Sequence, residues 1–472
     1  MIQKLALLSC LATLTTVCIG QSAVAVQALP DAPEASSAVH SETKTAARQS
    51  PAPYPSQSNR PAGPSATQVR LTLKEAETLV IKNNPQITAA RLQALAAQQV
   101  TRETRSGYWP TATANLTAVD SETNSRIAAG GLNNPIIFER AAGGATVGQL
   151  ITDFGHTKNL VASANLSAKA EGQNALATRE QILLAVDQAF YGVLQAQAVL
   201  HVAEGTVANR QVVVDQVQAL AKSALKSDLD LSFAQVNLAQ AKLLLLDAQN
   251  NEKAAQAALA ALLGYVTPWQ FDVVDEPAAP SAPPANLDDL IQQAVDSRPE
   301  LQAINFQYQS AEKLKAAERD SLFPTIAALG AVGGTPVRDS HLSPWYGAVG
   351  ANIEIPVFNG FLFSARAKEA DLRAQAVQQR LVDLRNTIAR DVRTSWLNAN
   401  TAYDRLDVTN QLLKQANLAL DLSQTRYKLG LGSIVELSQA QLQQTQAEIS
   451  QAQAGYEYRL ALAVLRYQTT GL

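Results

Sequence analysis

Two stretches of this chain say nearly the same thing: 72-TLKEAETLVIKNNPQI-87 and 286-NLDDLIQQAVDSRPEL-301. Each is a short leucine-rich helical segment that runs into a proline, Pro85 in the first and Pro299 in the second. The echo continues outward from there. Trp109-Pro110 answers to Phe323-Pro324, Gly155 to Gly360, Tyr191 to Trp396, Ser227 to Ser433 and Gly264 to Gly471. The first copy carries extra residues near Asn124–Ala142. A unit this long is a duplicated half-molecule rather than a short solenoid repeat. The chain therefore divides into a first repeat, 70–284, and a second, 285–472, giving one fold twice with internal pseudo-symmetry.

Residues 1–28 read as a secretory signal peptide: Lys4, an apolar run from Leu5 to Ile19, and small residues at Ala23 and Ala25. Both cysteines, Cys10 and Cys18, fall inside it, so its removal leaves no thiol for a disulfide, a metal or a nucleophile. The string LLSC ending at Cys10 also resembles a lipoprotein processing site, after a very short apolar region. Residues 29–69 are rich in Pro, Ala and Ser and read as a flexible exported segment. The formal net charge is -3 and no Lys/Arg block stands out, which argues against a nucleic-acid partner. After the leader there is no unbroken apolar run of spanning length. A membrane role must therefore come from strands.

From about His156 to Lys222 the chain lacks proline and is dominated by Ala, Gln, Leu, Glu and Val, mostly good helix formers. Such a helix would extend roughly 100 Å at 1.5 Å per residue. A second run, Leu229 to Leu263, follows a break at AKSALKSD. The second copy repeats the scheme, with Ala365 to Tyr427, a break at LGLGS, and Ile434 to Tyr467. Each pair predicts a long antiparallel hairpin. The apolar residues are small (Ala221, Ala224, Ala234, Ala239 and Ala241; Ala440, Ala447, Ala452 and Ala454), so helices approach closely but one hairpin buries little. Several hairpins side by side are expected. The alternative is an elongated coiled-coil spacer.

Between the leading and the long helices the period changes to two. In 111-TATANLTAV-119, Ala112, Ala114, Leu116 and Ala118 alternate with polar residues; in 346-YGAVGANIEIPVF-358, Val349, Ala351, Ile353, Ile355 and Val357 share a face. Weaker versions lie at 144-GATVGQLITDF-154 and 324-PTIAALGAV-332. Strands of this length cross a membrane when tilted. Four are too few for a barrel, because single-chain barrels start at eight and a lipid-exposed sheet edge is not tolerated. Several chains must pool their strands; three make the arithmetic reasonable and two remain possible. At the strand-to-helix corners, Phe154 precedes Gly155 and Phe358 stands before Gly360, where glycine tolerates a positive φ.

With the stretch 427-YKLGLGSIVELSQAQLQQTQAEI-449, the duplicated helices, the aromatic-proline pairs and the glycine corners in view, residues 70–471 resemble the TolC-type outer-membrane efflux proteins. The most specific element is the turn signature Tyr-x-x-Gly-x-x-Ser at Tyr427, Gly430 and Ser433. The resemblance implies a mainly α fold with a membrane β-barrel part: a homotrimer with a twelve-stranded barrel in outer-membrane lipid, continued by an α-helical periplasmic tunnel. It implies docking to a periplasmic adapter (membrane fusion) protein and an inner-membrane efflux pump or ABC-type secretion transporter. It implies no cofactor, no metal and no covalent chemistry.

The family's periplasmic gate maps onto Tyr427 and Asp230, with Glu436 and Gln439 at the positions of its two acidic rings. One ring of carboxylates is therefore expected rather than two. A basic turn residue of the family corresponds to Gly432, so that latch is absent. The adapter-docking surface is expected around Lys222–Asp228 and Leu429–Ser433, with Ser227, Leu429, Gly430, Leu431, Gly432 and Ser433 at its centre and Ile434 beside it.

An enzyme reading finds little support. His40, His156, His201 and His341 are scattered without metal-ligand spacing, and no phosphate loop or nucleophile elbow appears. Glu75 with Glu77, and Asp288 with Asp289, read as first-turn helix charges. The remaining rival is a non-pore periplasmic or surface coiled-coil structural or adapter protein.

Overall fold

The computed structural model describes residues 69–470 apart from 121, 123–138, 224, 266–270, 276–280 and 339–342. The signal peptide, almost all of the segment 29–69, both cysteines, His40, His341, Ala224, Gly471 and most of the Asn124–Ala142 stretch lie outside the described residues. The described chain is mainly α-helical with two small sheets.

A short strand β1 (Val69–Leu71) leads into α1 (Leu73–Asn83) and α2 (Pro85–Arg105), then β2 (Thr111–Val119), β3 (Arg140–Thr152), α3 (His156–Lys222) and α4 (Asp228–Leu262). After β4 (Phe271–Val273) the same series returns: α5 (Leu287–Ser297), α6 (Pro299–Asp320), β5 (Thr325–Val337), β6 (Trp345–Glu354), α7 (Leu362–Lys428) and α8 (Ile434–Thr469). The periodic readings are met to within a few residues. Strand β6 is shorter than its alternation implied, stopping at Glu354 before Pro356, which has no ladder donor. The parallel pair β1–β4 was not visible in the sequence: three residues each is too short for a period to register.

Local chemistry fixes the leading helices. Thr72 and Glu75 form a reciprocal capping box on α1. Asn84 accepts from the backbone N–H groups of Gln86 and Ile87 to start α2, with Pro85 at the first helical position. Its amide also donates to the Leu262 carbonyl at the end of α4, 3.0 Å away. In the second half Arg298 takes Asn84's place and donates to Gln468 of α8 at 2.6 Å. Both leading helices are thus tied to the last helix of their own half. Leu71, Val80, Val186, Phe190, Leu259 and Val273 form a core at this level. Leu301, Ile388 and Val392 form the second half's counterpart.

Helix α3 is long and apolar enough by composition to cross a membrane. Its apolar side chains Ile182, Leu183, Val186, Phe190, Val193 and Leu194 are instead buried within the chain. Where α3 crosses α6, Ser163 and Ser310 exchange hydroxyl-to-carbonyl bonds of 2.9 and 2.8 Å. Toward the tips, Ala234, Ala241 and Ala248 of α4, and Ala440, Ala447 and Ala454 of α8, are buried at heptad spacing. Ala239 faces outward, outside that stripe.

The larger sheet is antiparallel in the order β2-β3-β5-β6, so the two halves meet at its centre and β2 and β6 are its edges. The register aligns Ala112, Val147, Gly330 and Val349 in one row and Thr113, Thr146, Ala331 and Ala348 in the next. Leu116 and Val349, on the two edge strands, are 91% and 94% exposed. Tyr346 lies across the sheet over two glycines: a Cβ on Gly144 would come within 2.2 Å of its hydroxyl, and one on Gly333 within 2.5 Å.

Candidate functional site

The corners between sheet and long helices need two consecutive left-handed residues in each half. In the first they are Phe154 (φ 54°) and Gly155 (φ 117°). In the second they are Gly360 (φ 62°) and Phe361 (φ 66°). The aromatic with the positive φ thus follows its glycine in the second half, and it is Phe361 rather than Phe358. A Cβ on Gly155 would also meet the Asp320 carboxylate at 2.9 Å. That carboxylate accepts from Asn159 at 2.7 Å. Exposed aromatic side chains gather here: Trp109, Phe154, Phe323, Phe358 and Phe361. Phe154 packs against Phe323 and Phe358 against Phe361, at 6.1 and 5.7 Å between ring centres.

At the opposite end of the long helices lie the two turns. After α7, the Leu431 N–H donates to the Arg426 carbonyl at 2.8 Å and the Gly430 N–H to the Tyr427 carbonyl at 3.1 Å. With Gly430 at φ 73° this is a Schellman motif. Ser433 then caps α8, accepting from the Glu436 N–H at 3.1 Å. The first half closes on the same bond, Leu225 N–H to the Leu220 carbonyl at 2.9 Å.

Asp230 belongs to a capping box with Ser227, accepting from its backbone N–H and its hydroxyl at 3.2 and 3.0 Å. Tyr427 is buried, and its hydroxyl has no hydrogen-bond partner among the described residues. Burial, then the Asp230 charge, raises its pKa. Among the described residues Tyr427 and Asp230, the pair expected at the gate, share no hydrogen bond, and the Asp230 charge only disfavours ionisation of the phenol. The ammonium of Lys226 sits 4.1 Å from the Tyr427 ring centre.

Glu436 is exposed and paired with Arg426, Nε to Oε1 3.2 Å, and Gln439 is exposed one turn further along α8. Arg426 also reaches the Leu431 carbonyl at 3.3 Å. Arg426 thus sets a cation from the preceding helix beside the turn that holds Gly432. Leu429 and Leu431 are exposed, and so are Leu225 and Leu229 of the first turn. Ile434 instead is buried with Val214, Val217 and Leu437. Lys226 and Leu225 fall within the expected turn 222–228, but the contact of Lys226 with Tyr427, and Arg426 and Leu229 altogether, escaped the sequence reading because they depend on proximity in space.

Higher up α3, Arg210 is buried against α8 and donates to the Thr445 hydroxyl at 3.2 Å. Burial lowers its pKa to about 10, against the opposing charge of Glu448, so it stays cationic at neutral pH. Glu77 is not the simple first-turn charge that its position implied. It turns toward Asp187 of α3, and burial raises its pKa. Asp187 is pushed up to about 7, by burial and then by Glu77. One Asp187 oxygen, Oδ1, has no hydrogen-bond partner among the described residues. Among the described residues no cluster of His, Cys, Asp and Glu is arranged to hold a metal ion.

Two matched halves, each a strand pair feeding a very long helical hairpin with a capped turn at its tip, define a TolC-type architecture. Residues 78–265 and 290–471 match the outer membrane efflux protein family, and the chain belongs to it. It is 21% identical over 400 residues to the outer membrane efflux protein BepC of Brucella suis, covering 83% of each chain. It is 23% identical over 119 residues to the outer membrane protein TolC of Salmonella enteritidis, covering 25% of this chain and 24% of that one. The chain thus spans about a quarter of the length of the curated TolC relatives it matches. Among solved structures, VceC of Vibrio cholerae superposes with a TM-score of 0.74 at 18% identity, over 84% of this chain and 96% of that one. At that identity the likeness is one of fold.

Proposed function

We propose that this protein is the outer-membrane channel of a tripartite efflux or type I secretion system. Three copies pool their strands into a twelve-stranded barrel in outer-membrane lipid, and their hairpins form a periplasmic tunnel. The repeats, 70–284 and 285–472, are the units of its pseudo-symmetry, behind a signal peptide and a flexible segment. The channel carries out no covalent chemistry; the inner-membrane pump or secretion transporter supplies the energy.

One observation carries the reading. The four-stranded sheet ends in two edge strands, β2 and β6, whose apolar residues Leu116 and Val349 are almost fully exposed. Such edges are a liability in water and are forbidden in lipid unless another sheet pairs with them. The exposed aromatics at the corners fit a girdle at the membrane boundary. A non-pore coiled-coil protein gives no reason for either feature. The exposed leucines of the two turns, with the left-handed Gly430, are the proposed adapter-docking surface, and Tyr427, Asp230, Glu436 and Gln439 the gate region.

The test is a cysteine scan of β2 against β6, clean because both native cysteines lie in the leader. Disulfides between chains that stop at a trimer, together with conductance in planar bilayers, are expected. A monomeric, detergent-independent protein without conductance overturns the reading.

A further inference from the structure

Between α3, α7 and α8, above the tips, lies a cavity of about 350 Å³. That is the size of a small-molecule site. Its walls are mixed. Val213, Val217, Leu420 and Leu437 supply an apolar strip, and Arg210 lines it near Thr445. At the tip end stand Lys226 and Tyr427. Thr445 and Leu437 are two helical turns apart, so the cavity is elongated, with about 12 Å between these levels.

Its electrostatics are one-sided. Arg210, Lys226 and Lys428 line it, and among the described residues no carboxylate does. Arg210 carries five N–H donors. Its one side-chain bond among the described residues goes to the neutral Thr445 hydroxyl, and it makes no ion pair there. The nearby acid, Glu448, is hydrogen-bonded by Gln444 and offsets part of the Arg210 charge without forming an ion pair with it. A buried cation is costly unless paired. Water satisfies donors but does not neutralise charge. The Tyr427 hydroxyl at the far end is also buried and unpartnered.

We propose that this cavity binds a medium-chain amphiphilic carboxylate, with its head on the Arg210 guanidinium and its tail along Val213, Val217 and Leu437. Guanidinium and carboxylate match in bidentate geometry, and the apolar strip has the length of a chain of about eight carbons, against the roughly 12 Å between its ends. The site is built by one chain and stands whether or not the trimer proposed above forms.

The probe is octanoate carrying a diazirine, photolysed with the full-length detergent-solubilised protein, and the labelled peptides are read by mass spectrometry. Labelling within residues 206–220 and 437–445 is expected, competed by octanoate and not by octylamine. It should fall at least tenfold in Arg210→Gln and in Val213→Trp, which fills the cavity from a partly buried wall position without touching the charge. The second variant serves if the first does not fold. Equal labelling of wild type and both variants overturns the proposal. So does labelling confined to the sheet, or loss only in Lys226→Gln, which would place the head at the tip.

Discussion

The ammonium of Lys226, on the turn of the first hairpin, lies 4.1 Å from the centre of the Tyr427 ring at the turn of the second. The two tips of one chain are thus fastened by a cation over an aromatic face, a contact of about 0.5–2 kcal/mol depending on desolvation. The Tyr427 hydroxyl takes no part in a hydrogen bond among the described residues. Tyr427→Phe should therefore leave amide exchange across 225–233 unchanged, while Tyr427→Ala and Lys226→Gln should speed it several-fold. Equal acceleration in the Phe and Ala variants would assign the fastening to the hydroxyl.

Gly430 is the left-handed residue of the Schellman turn, and a Cβ there would meet nothing within 4 Å. A side chain at this position is penalised by backbone conformation, by roughly 1–2 kcal/mol, and projects into space that a docking partner would use. Gly430→Val should impair export strongly with trimer yield unchanged. Intact export in a drug-susceptibility assay removes the turn from the docking surface.

Arg426 neutralises Glu436 at an exposed position, so the pair adds at most about 1 kcal/mol to stability. Its effect should be on permeation. Arg426→Gln frees the carboxylate and should shift the bilayer reversal potential toward cation preference. The shift should shrink in about 1 M salt, where the screening length is about 3 Å. An unchanged reversal potential at low salt would place Glu436 away from the ion path.

Asp187 carries its proton to unusually high pH because burial, then Glu77, disfavours its charge. A carboxyl whose folded pKa lies above its unfolded value contributes stability at acid pH, which is lost as pH rises through the folded value. The melting temperature should therefore fall between about pH 4 and about pH 7 from this group. Asp187→Asn should flatten that fall and raise the melting temperature at pH 8. A constant offset between wild type and variant at every pH would mean that Asp187 titrates normally.

Most of the fold was legible because its signals are long. The proline-free run from His156 to Lys222 and the alternation from Thr111 to Val119 each repeat a period enough times to register. The three-residue strands β1 and β4 have no period to read. The tip was legible where a signature spelled it out, as at Tyr427, Gly430 and Ser433. It was opaque where a contact depends on how the chain folds back on itself: Lys226 over Tyr427, Arg426 beside Glu436, Arg210 against Thr445, Glu77 against Asp187. Asp230 and Ile434 show the converse. Both are conspicuous beside a turn, yet the first is engaged in capping its own helix and the second is packed inside.

Helices α3 and α7 each run for 67 residues, starting from matching corners, and their partners α4 and α8 run for 35 and 36. In the proposed assembly this parity makes a level rim. A deletion of one turn in a single hairpin would leave three teeth short by about 5.4 Å and a mouth that no flat partner could seal. Such a deletion made in both hairpins at once would merely shorten the tube. In that assembly the duplication would work as a gauge: the reach across the periplasm could be retuned only by changing both halves together.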